Sequence, residues 1–304
     1  MPNLAKRRLG SRGSMLLSTT LFALSGFFCV EAMALSGPWV ALLCRFAIPL
    51  GAMGLIMRTR MGSVLRNPRP VHLLRAASLV GSQAMFLACA SASSLFIAMV
   101  LYNTGPIFLV LIECVHRRRC PAWVPLMSCG VGFLGVWILN DCGASTAWQP
   151  WLFGLTSGLL YGMSQFTLHV ASVEQSGSSV LLQTFFWCSA ICLVPALLTA
   201  PQGTLEHLRE SPRQIAMLLL AGLCSLGNQW LRARAYRAAS RVADLAPLLY
   251  FGVVVALALQ TLRGSAVPSS SQLAGTALVI AAALGVRAGT SGRKPASLLR
   301  NPPA

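Results

Sequence analysis

The sequence has few charged residues and very few acidic ones. Of its 304 residues only 10% are charged, with 7 Asp and Glu against 24 Lys and Arg, while 55% are hydrophobic. The mean hydropathy is +0.67. So few polar side chains cannot cover a soluble globule of this length. The composition therefore excludes an ordinary soluble domain and predicts a chain whose surface faces lipid.

Motifs of catalysis and of metal binding are also missing. The 10 cysteines lie mostly within apolar runs and form no C-x-x-C pair, so neither a disulfide framework nor a zinc site is predicted. The histidines are scattered, and no H-E-x-x-H, G-x-S-x-G or Walker A sequence occurs. We therefore predict no enzyme activity, no metal site, no cofactor and no ATP-driven pumping.

Apolar runs long enough to cross a bilayer fill most of the chain. A membrane-spanning helix needs about 20 apolar residues. The sequence therefore predicts an all-α integral membrane fold with ten transmembrane helices. The predicted spans lie near 14-36, 38-57, 74-93, 94-115, 121-140, 150-171, 179-200, 214-232, 242-262 and 270-289.

The Lys and Arg residues lie almost wholly on one side of these ten spans. A net charge of +17 suggests nucleic acid in a soluble protein, but here the basic residues cluster between apolar runs, so we predict a lipid bilayer as partner and no nucleic acid. Only Arg209, Arg213 and Arg263 fall on the other side, and Arg45 lies inside a span. Because basic loops stay cytoplasmic, both termini are predicted to be cytoplasmic in a multi-pass protein of the cell inner membrane. The residues assigned to the cytoplasmic side are Lys6, Arg7, Arg8, Arg12, Arg58, Arg60, Arg66, Arg69, Arg75, Arg117, Arg118, Arg119, Arg232, Arg234, Arg237, Arg241, Arg287, Arg293, Lys294 and Arg300.

The two halves of the chain are similar to each other. The sequence Gly-Ser-Gln at 81-83 matches Gly-Asn-Gln at 227-229, and Pro121 and Pro268 precede the fifth and tenth spans. Because five spans is an odd number, consecutive copies insert with opposite orientations. The chain is therefore predicted to contain two inverted five-helix repeats, at 15-140 and 150-289, with a substrate site between them at the bilayer midplane.

Three stretches carry a resemblance to a known family. They are LCRFAIPL from Cys44, TGPIF from Thr104, and GNQWLRARAYRAASRVADLAPLLYF at 227-251. With them the chain resembles the EamA family of the drug/metabolite transporter superfamily over most of its length. The resemblance implies a secondary transporter, commonly an exporter of amino acids or related small metabolites, that works by alternating access. The alternative from another class is a non-transporting membrane scaffold or sensor.

Glu31 and Arg45 are two charges inside the first predicted hairpin. They lie roughly 8 and 10 Å of helix from the turn at 36-38, so their depths are similar. An unpaired charge at the centre of a membrane helix costs about 2.5 to 3.5 kcal/mol, so a partner or a wet cavity is expected. One interpretation is a structural pair between the first two helices. In the other, Glu31 binds a proton or an amine in the cavity and Arg45 is an anchor or gate; snorkelling to the interface is the third.

Further polar residues are predicted at mid-span depth on the substrate pathway. Buried amides and hydroxyls must find partners or water in lipid, and hydrogen bonding between helices is the alternative role for each. Pro106 and Pro247 are the predicted hinges. Coupling to protons and a homodimer both stay open. With Glu31, the predicted pathway residues are Gln83, Tyr102, Asn103, Gln165, Asn228, Gln229 and Tyr250.

Overall fold

The computed structural model describes residues 10-56, 70-117, 123-139, 148-172, 177-201, 210-238, 246-264 and 268-291. Within these ranges the regular secondary structure is helical and no strand occurs. The helices are α1 (Ser11–Ser36), α2 (Pro38–Ile56), α3 (Pro70–Ala92), α4 (Leu95–Tyr102), α5 (Gly105–Arg117), α6 (Trp123–Leu139), α7 (Gln149–Ser172), α8 (Gly177–Thr199), α9 (Pro212–Ala238), α10 (Ala246–Leu249), α11 (Phe251–Leu262) and α12 (Ser270–Ser291).

Six segments of the described chain are long and apolar enough to cross a membrane. They are α1, α2, α3, the segment Leu95–His116 that comprises α4 and α5, α8, and the segment Pro212–Ala235 of α9. The chain is therefore an all-α, multi-pass membrane protein. Shorter apolar helices occur at Phe251–Leu262 and Ser270–Ala282. The count of ten spans stays a prediction.

The first two helices are joined by a single residue, as the sequence predicts. Gly37 has φ +79°, a left-handed conformation that favours glycine, and its N–H donates to the carbonyl of Met33 at 3.0 Å. Pro38 then begins α2, where its missing N–H leaves no bond unmade. The hairpin thus places α1 and α2 side by side and antiparallel.

The predicted span at 94-115 is divided into two helices. α4 ends at Tyr102 and α5 begins at Gly105, with Asn103 and Thr104 between them. Pro106 has no N–H to donate to the carbonyl of Tyr102, and its ring would clash with that carbonyl in a continuous helix. The predicted span at 242-262 is also divided, into α10 and α11 around Tyr250.

Glycines let α7 pack closely on the divided segment. A Cβ at Gly158 would lie 2.8 Å from the Leu101 carbonyl oxygen, and one at Gly162 would lie 2.9 Å from the Gly105 carbonyl oxygen. Side chains at these positions would therefore force the helices apart. The small-residue face of α7 contacts the same chain and sets how near α7 comes to the break at 103-104.

Two arginines assigned to cytoplasmic loops are buried inside helices. Arg75 belongs to α3 and Arg232 to α9, which continues to Ala238, and the two side chains are only 2% and 5% exposed. Both lie at the ends of predicted spans, 74-93 and 214-232, and were counted as loop charges because basic residues at span ends are assigned to the cytoplasmic side. Arginine and alanine are nevertheless good helix formers, so the Arg- and Ala-rich sequence after residue 231 extends the helix. Neither arginine counts as a loop charge.

Candidate functional site

Three aromatic rings are stacked near the middle of the helices. Tyr102 lies between Phe22 and Tyr161, with centroid distances of 4.8 and 4.2 Å and interplanar angles of 29° and 28°. Phe86 meets the ring of Tyr102 edge-on at 5.6 Å. All of these rings are buried. Phe22 and Tyr161 lie close to the midpoints of α1 and α7, so the stack lies about halfway along both helices.

Two arginines and one amide surround the stack. The Cζ atoms of Arg45 and Arg232 lie 5.5 and 5.9 Å from the ring centroid of Phe22. Arg232 Nη1 donates to Tyr161 Oη at 2.8 Å, and Gln83 Nε2 donates to Tyr102 Oη at 3.4 Å. We call Phe22, Arg45, Gln83, Tyr102, Tyr161 and Arg232 the aromatic–arginine cluster. Its members come from α1, α2, α3, α4, α7 and α9, so it joins elements from the whole chain.

The charge of Arg45 is poorly compensated. Its side chain is 2% exposed, it forms no ion pair within the described residues, and its Nη1 is buried there without an acceptor. It contacts the Phe22 ring and the Cys29 thiol, and neither neutralises its charge. A desolvated cation–π contact is worth about 2 kcal/mol, which does not exceed the cost of about 2.5 to 3.5 kcal/mol for an arginine at the centre of a membrane helix. A negatively charged group placed next to Arg45 would therefore be stabilised by its uncompensated positive charge.

Glu31 pairs with Arg263 and not with Arg45. Arg263 Nη1 lies 2.8 Å from Glu31 Oε1, with the two side chains 53% and 20% exposed. Helix geometry explains the difference from the predicted pair. At 100° per residue, Phe22 and Cys29 share a face of α1, whereas Glu31 points to the opposite face. Arg45 contacts the first face, so equal depth did not bring the two charges together.

Two predicted pathway residues connect the two helix breaks. Tyr250 Oη donates to the carbonyl of Asn103 at 3.5 Å. The Asn103 side chain is used locally, because its Nδ2 donates to the Met99 carbonyl at 2.8 Å and ends α4. Since Asn103 follows Tyr102 directly, the contact between the breaks lies next to the aromatic–arginine cluster.

The other predicted pathway residues lie apart from the cluster. Asn228 accepts two hydrogen bonds from Ser18 Oγ, at 2.9 Å to Oδ1 and 3.0 Å to the carbonyl, so it joins α1 to α9. Gln165 and Gln229 are half-buried, and neither hydrogen-bonds to a cluster member in the described part of the chain. Of the predicted set, Gln83 and Tyr102 are members of the cluster, and Asn103 and Tyr250 adjoin it.

Sequence analysis did not assign Phe22, Tyr161 or Arg232 to the site. Phe22 is one of many apolar residues in α1, and nothing local distinguishes it. Arg232 lies four residues after Asn228, so it shares a helix face with a predicted pathway residue. That spacing was the available signal. Among the described residues no group of three or more His, Cys, Asp or Glu could hold a metal ion.

Comparisons with known proteins identify a fold and no family. No family model matches the chain, and no curated protein matches it. The chain is similar to a solved structure described only as "Crystal structure of protein", with a TM-score of 0.60 and 17% sequence identity over 90% of this chain and 97% of that one. At this identity the likeness shows the fold alone. Because it covers nearly all of both chains, it concerns the whole architecture.

Proposed function

We propose that the chain is a secondary transporter of a small metabolite, built from ten spans in two inverted repeats of the EamA type. The observation that carries this proposal is the meeting of the two helix breaks, where Tyr250 Oη lies 3.5 Å from the carbonyl of Asn103. Transporters with inverted repeats bind substrate near the bilayer midplane, at helices that are interrupted there. A buried charged cluster beside the breaks is what such a site requires.

The way the helices pack supports two related halves. We divide the chain into α1 to α6 and α7 to α12, with the divided segments α4–α5 and α10–α11 as counterparts. The packing of α1 on α9 then corresponds to that of α7 on α3, and the contact of α4–α5 with α7 corresponds to that of α10–α11 with α1. In addition, α2 packs on its counterpart α8 and α6 on its counterpart α12. If each helix is replaced by its counterpart in the other half, these helix contacts stay the same. A two-fold axis between the halves would have this effect.

Two hydrogen bonds from serines to facing helices also correspond between the two halves. Ser18 Oγ donates to the carbonyl of Asn228 at 3.0 Å, and Ser157 Oγ donates to the carbonyl of Ser82 at 2.9 Å. Ser157 follows Ser18 by 139 positions, and Asn228 follows Ser82 by 146. The second offset is that of the sequence match between 81-83 and 227-229. The bond from Ser18 to Asn228 in one half thus corresponds to the bond from Ser157 to Ser82 in the other.

The stack and the breaks have offsets equal or close to those of the hydrogen bonds. Phe22 and Tyr161, which lie on either side of Tyr102, are separated by 139 positions, as the two serines are. Asn103 and Tyr250 are separated by 147 positions, one more than the offset between Ser82 and Asn228. The breaks therefore support duplication better than Pro106 and Pro247, which are 141 positions apart.

The distribution of charge supports cytoplasmic termini and an inner-membrane location. Without Arg75 and Arg232, the Lys and Arg residues between spans still lie almost entirely on the side of the N-terminus. The opposite side has the turn at Gly37 and the exposed Arg263. Export is the direction that the EamA resemblance implies, and protons are the candidate coupling ion.

In the proposed cycle the two halves rock against each other across the cluster. The divided segments allow this, because a helix interrupted at Asn103 or Tyr250 bends without breaking further backbone bonds. Pro106 and Pro247 are the proposed hinges. The Glu31–Arg263 pair joins α1 of one half to the end of α11 of the other, so it closes the side that contains the α1–α2 turn.

Reconstitution in proteoliposomes tests the proposal. Efflux and uptake are measured for labelled amino acids, organic acids, nucleosides and amines, with and without a pH gradient. We expect saturable flux of at least one solute, reduced in Tyr250→Phe, which removes only the hydroxyl that joins the breaks. Empty liposomes provide the control. Flux equal to that of empty liposomes for every class contradicts transport and favours a membrane scaffold or sensor.

A further inference from the structure

In the aromatic–arginine cluster, Arg45 Nη1 has no acceptor and Gln83 Oε1 has no donor among the described residues. We propose that the cluster binds a small organic anion whose carboxylate or phosphate oxygens pair with Arg45. This inference rests on the proposed transport function, because it names the substrate class of the same site. It differs from the amine-binding role considered for Glu31.

Arg45 supplies the charge for such an anion. Its side chain is among the largest that are fully buried, and its Nη1 has no acceptor within the described residues. The Phe22 ring contacts the guanidinium group of Arg45. The ring has no atom that accepts a hydrogen bond from Nη1, and it does not neutralise the positive charge of Arg45. The planar fork of a guanidinium matches the paired oxygens of a carboxylate or phosphate. An oxyanion therefore satisfies Arg45 in both charge and geometry.

Gln83 supplies a second, independent indication of a ligand. Its Nε2 donates to Tyr102 Oη, but its Oε1 is buried with no donor among the described residues. A buried acceptor of this kind favours a ligand with a neutral donor such as a hydroxyl group. The two residues are connected through one aromatic contact, because Arg45 contacts Phe22, Gln83 donates to Tyr102, and the two rings are stacked at 4.8 Å.

The surroundings favour an anion over an amine. An ammonium group buried in a membrane protein needs a carboxylate partner. Glu31, the candidate for that role, lies on the face of α1 opposite Phe22 and is paired with Arg263. Within the described residues no carboxylate forms an ion pair with Arg45, so no carboxylate is placed there to receive an ammonium group. The cluster thus offers the ligand a positive charge and neutral hydrogen-bonding groups.

Thermal unfolding of the full chain in detergent tests the proposal without requiring flux. The probes are malate, succinate and glycerol 3-phosphate, compared with leucine and putrescine at equal ionic strength, and the readout is Tm from tryptophan fluorescence. We expect a saturable rise in Tm with at least one of the three anions and none with leucine or putrescine. Malate should bind more tightly than succinate, because only malate has a hydroxyl for Gln83.

Variants assign the effect to the cluster. Arg45→Gln should abolish the anion-dependent rise in Tm. Arg75→Gln is the matched control, since Arg75 is equally buried but lies beside Cys188 and outside the cluster, so its anion response should persist. If Arg45→Gln does not fold, Arg45→Lys keeps the charge without the fork and should raise the half-saturating concentration about tenfold. Gln83→Met should remove the preference for malate over succinate.

Several results would overturn the inference. They are no rise in Tm with any of the three anions, an equal rise with leucine or putrescine, and an anion response that is unchanged in Arg45→Lys. The proposed transport function is contradicted by different results from those that contradict the anion site. Saturable flux of a zwitterion without anion binding leaves transport intact and contradicts the anion site, whereas anion binding without flux supports the site and contradicts transport.

Discussion

Glu31 in α1 forms an ion pair with Arg263 at the end of α11, and the oxygen and nitrogen lie 2.8 Å apart. The pair connects the first half of the chain to the second at the end that contains the α1–α2 turn. Arg45, at a similar depth in the neighbouring helix, contacts the other face of α1. The two charges of the first hairpin therefore have separate roles, and they should respond separately to substitution.

A double-mutant cycle distinguishes the two pairings. Glu31→Gln and Arg263→Gln should each lower Tm slightly, because a partly exposed ion pair contributes about 0.2 to 1 kcal/mol, and the double variant should be less than additive. Glu31→Gln and Arg45→Gln should be additive, since the two side chains lie on different faces of α1. Arg213→Gln, an exposed arginine outside the pair, is the control. Strong coupling between Glu31 and Arg45 would contradict the observed geometry.

Sequence patterns predict those structural features that are determined by residues close to each other in the sequence. The turn at Gly37 and the helix break close to Pro106 follow from backbone chemistry that each residue brings with it. The partner of Glu31 does not, because Arg263 is more than two hundred residues away. Nor does the burial of Arg75 and Arg232, since counting basic residues as loop charges takes no account of the tertiary contacts that bury them. Gln83 and Tyr102 were predicted by depth, but their contact with each other required the fold.

Close packing at Gly158 predicts a stability effect with a simple control. Gly158→Ala places a Cβ about 2.8 Å from the Leu101 carbonyl oxygen, and overpacking of this kind costs about 1 to 3 kcal/mol. Its Tm should fall by several degrees. Gly51→Ala, in α2, meets nothing within 4 Å and should leave Tm unchanged or slightly higher. Equal effects at both positions would mean that α7 does not approach α4 so closely.

Topology reporters test the ten-span prediction. Fusions near residues 65 and 118 should report the cytoplasm, and fusions near 145 and 208 should report the periplasm, because the basic residues cluster around the first two positions. The readout is a paired set of fluorescent and phosphatase activities. A periplasmic signal at 65 or 118, or a cytoplasmic one at 145, rules out ten spans in the predicted orientation.

Thiol labelling tests which polar residues line a water-filled path. After the native cysteines are removed, a cysteine replacing Gln83 should react with a small water-soluble thiol reagent as the halves rock. A cysteine replacing Asn228 should stay protected, because that position is packed against Ser18 between α1 and α9. Equal protection at both positions would indicate that Gln83 too serves only to join helices.

Pro106 is the residue whose substitution should separate stability from transport. Its ring prevents a bond to the Tyr102 carbonyl and so keeps α4 and α5 apart. Pro106→Ala restores an N–H at this position, so the segment gains the freedom to form one continuous helix. We expect an unchanged or higher Tm together with flux reduced several-fold, because the break next to Tyr102 no longer bends. Pro49→Ala, inside α2 and away from the breaks, is the matched control and should retain flux. Normal flux in a stable Pro106→Ala protein would eliminate this break as a hinge.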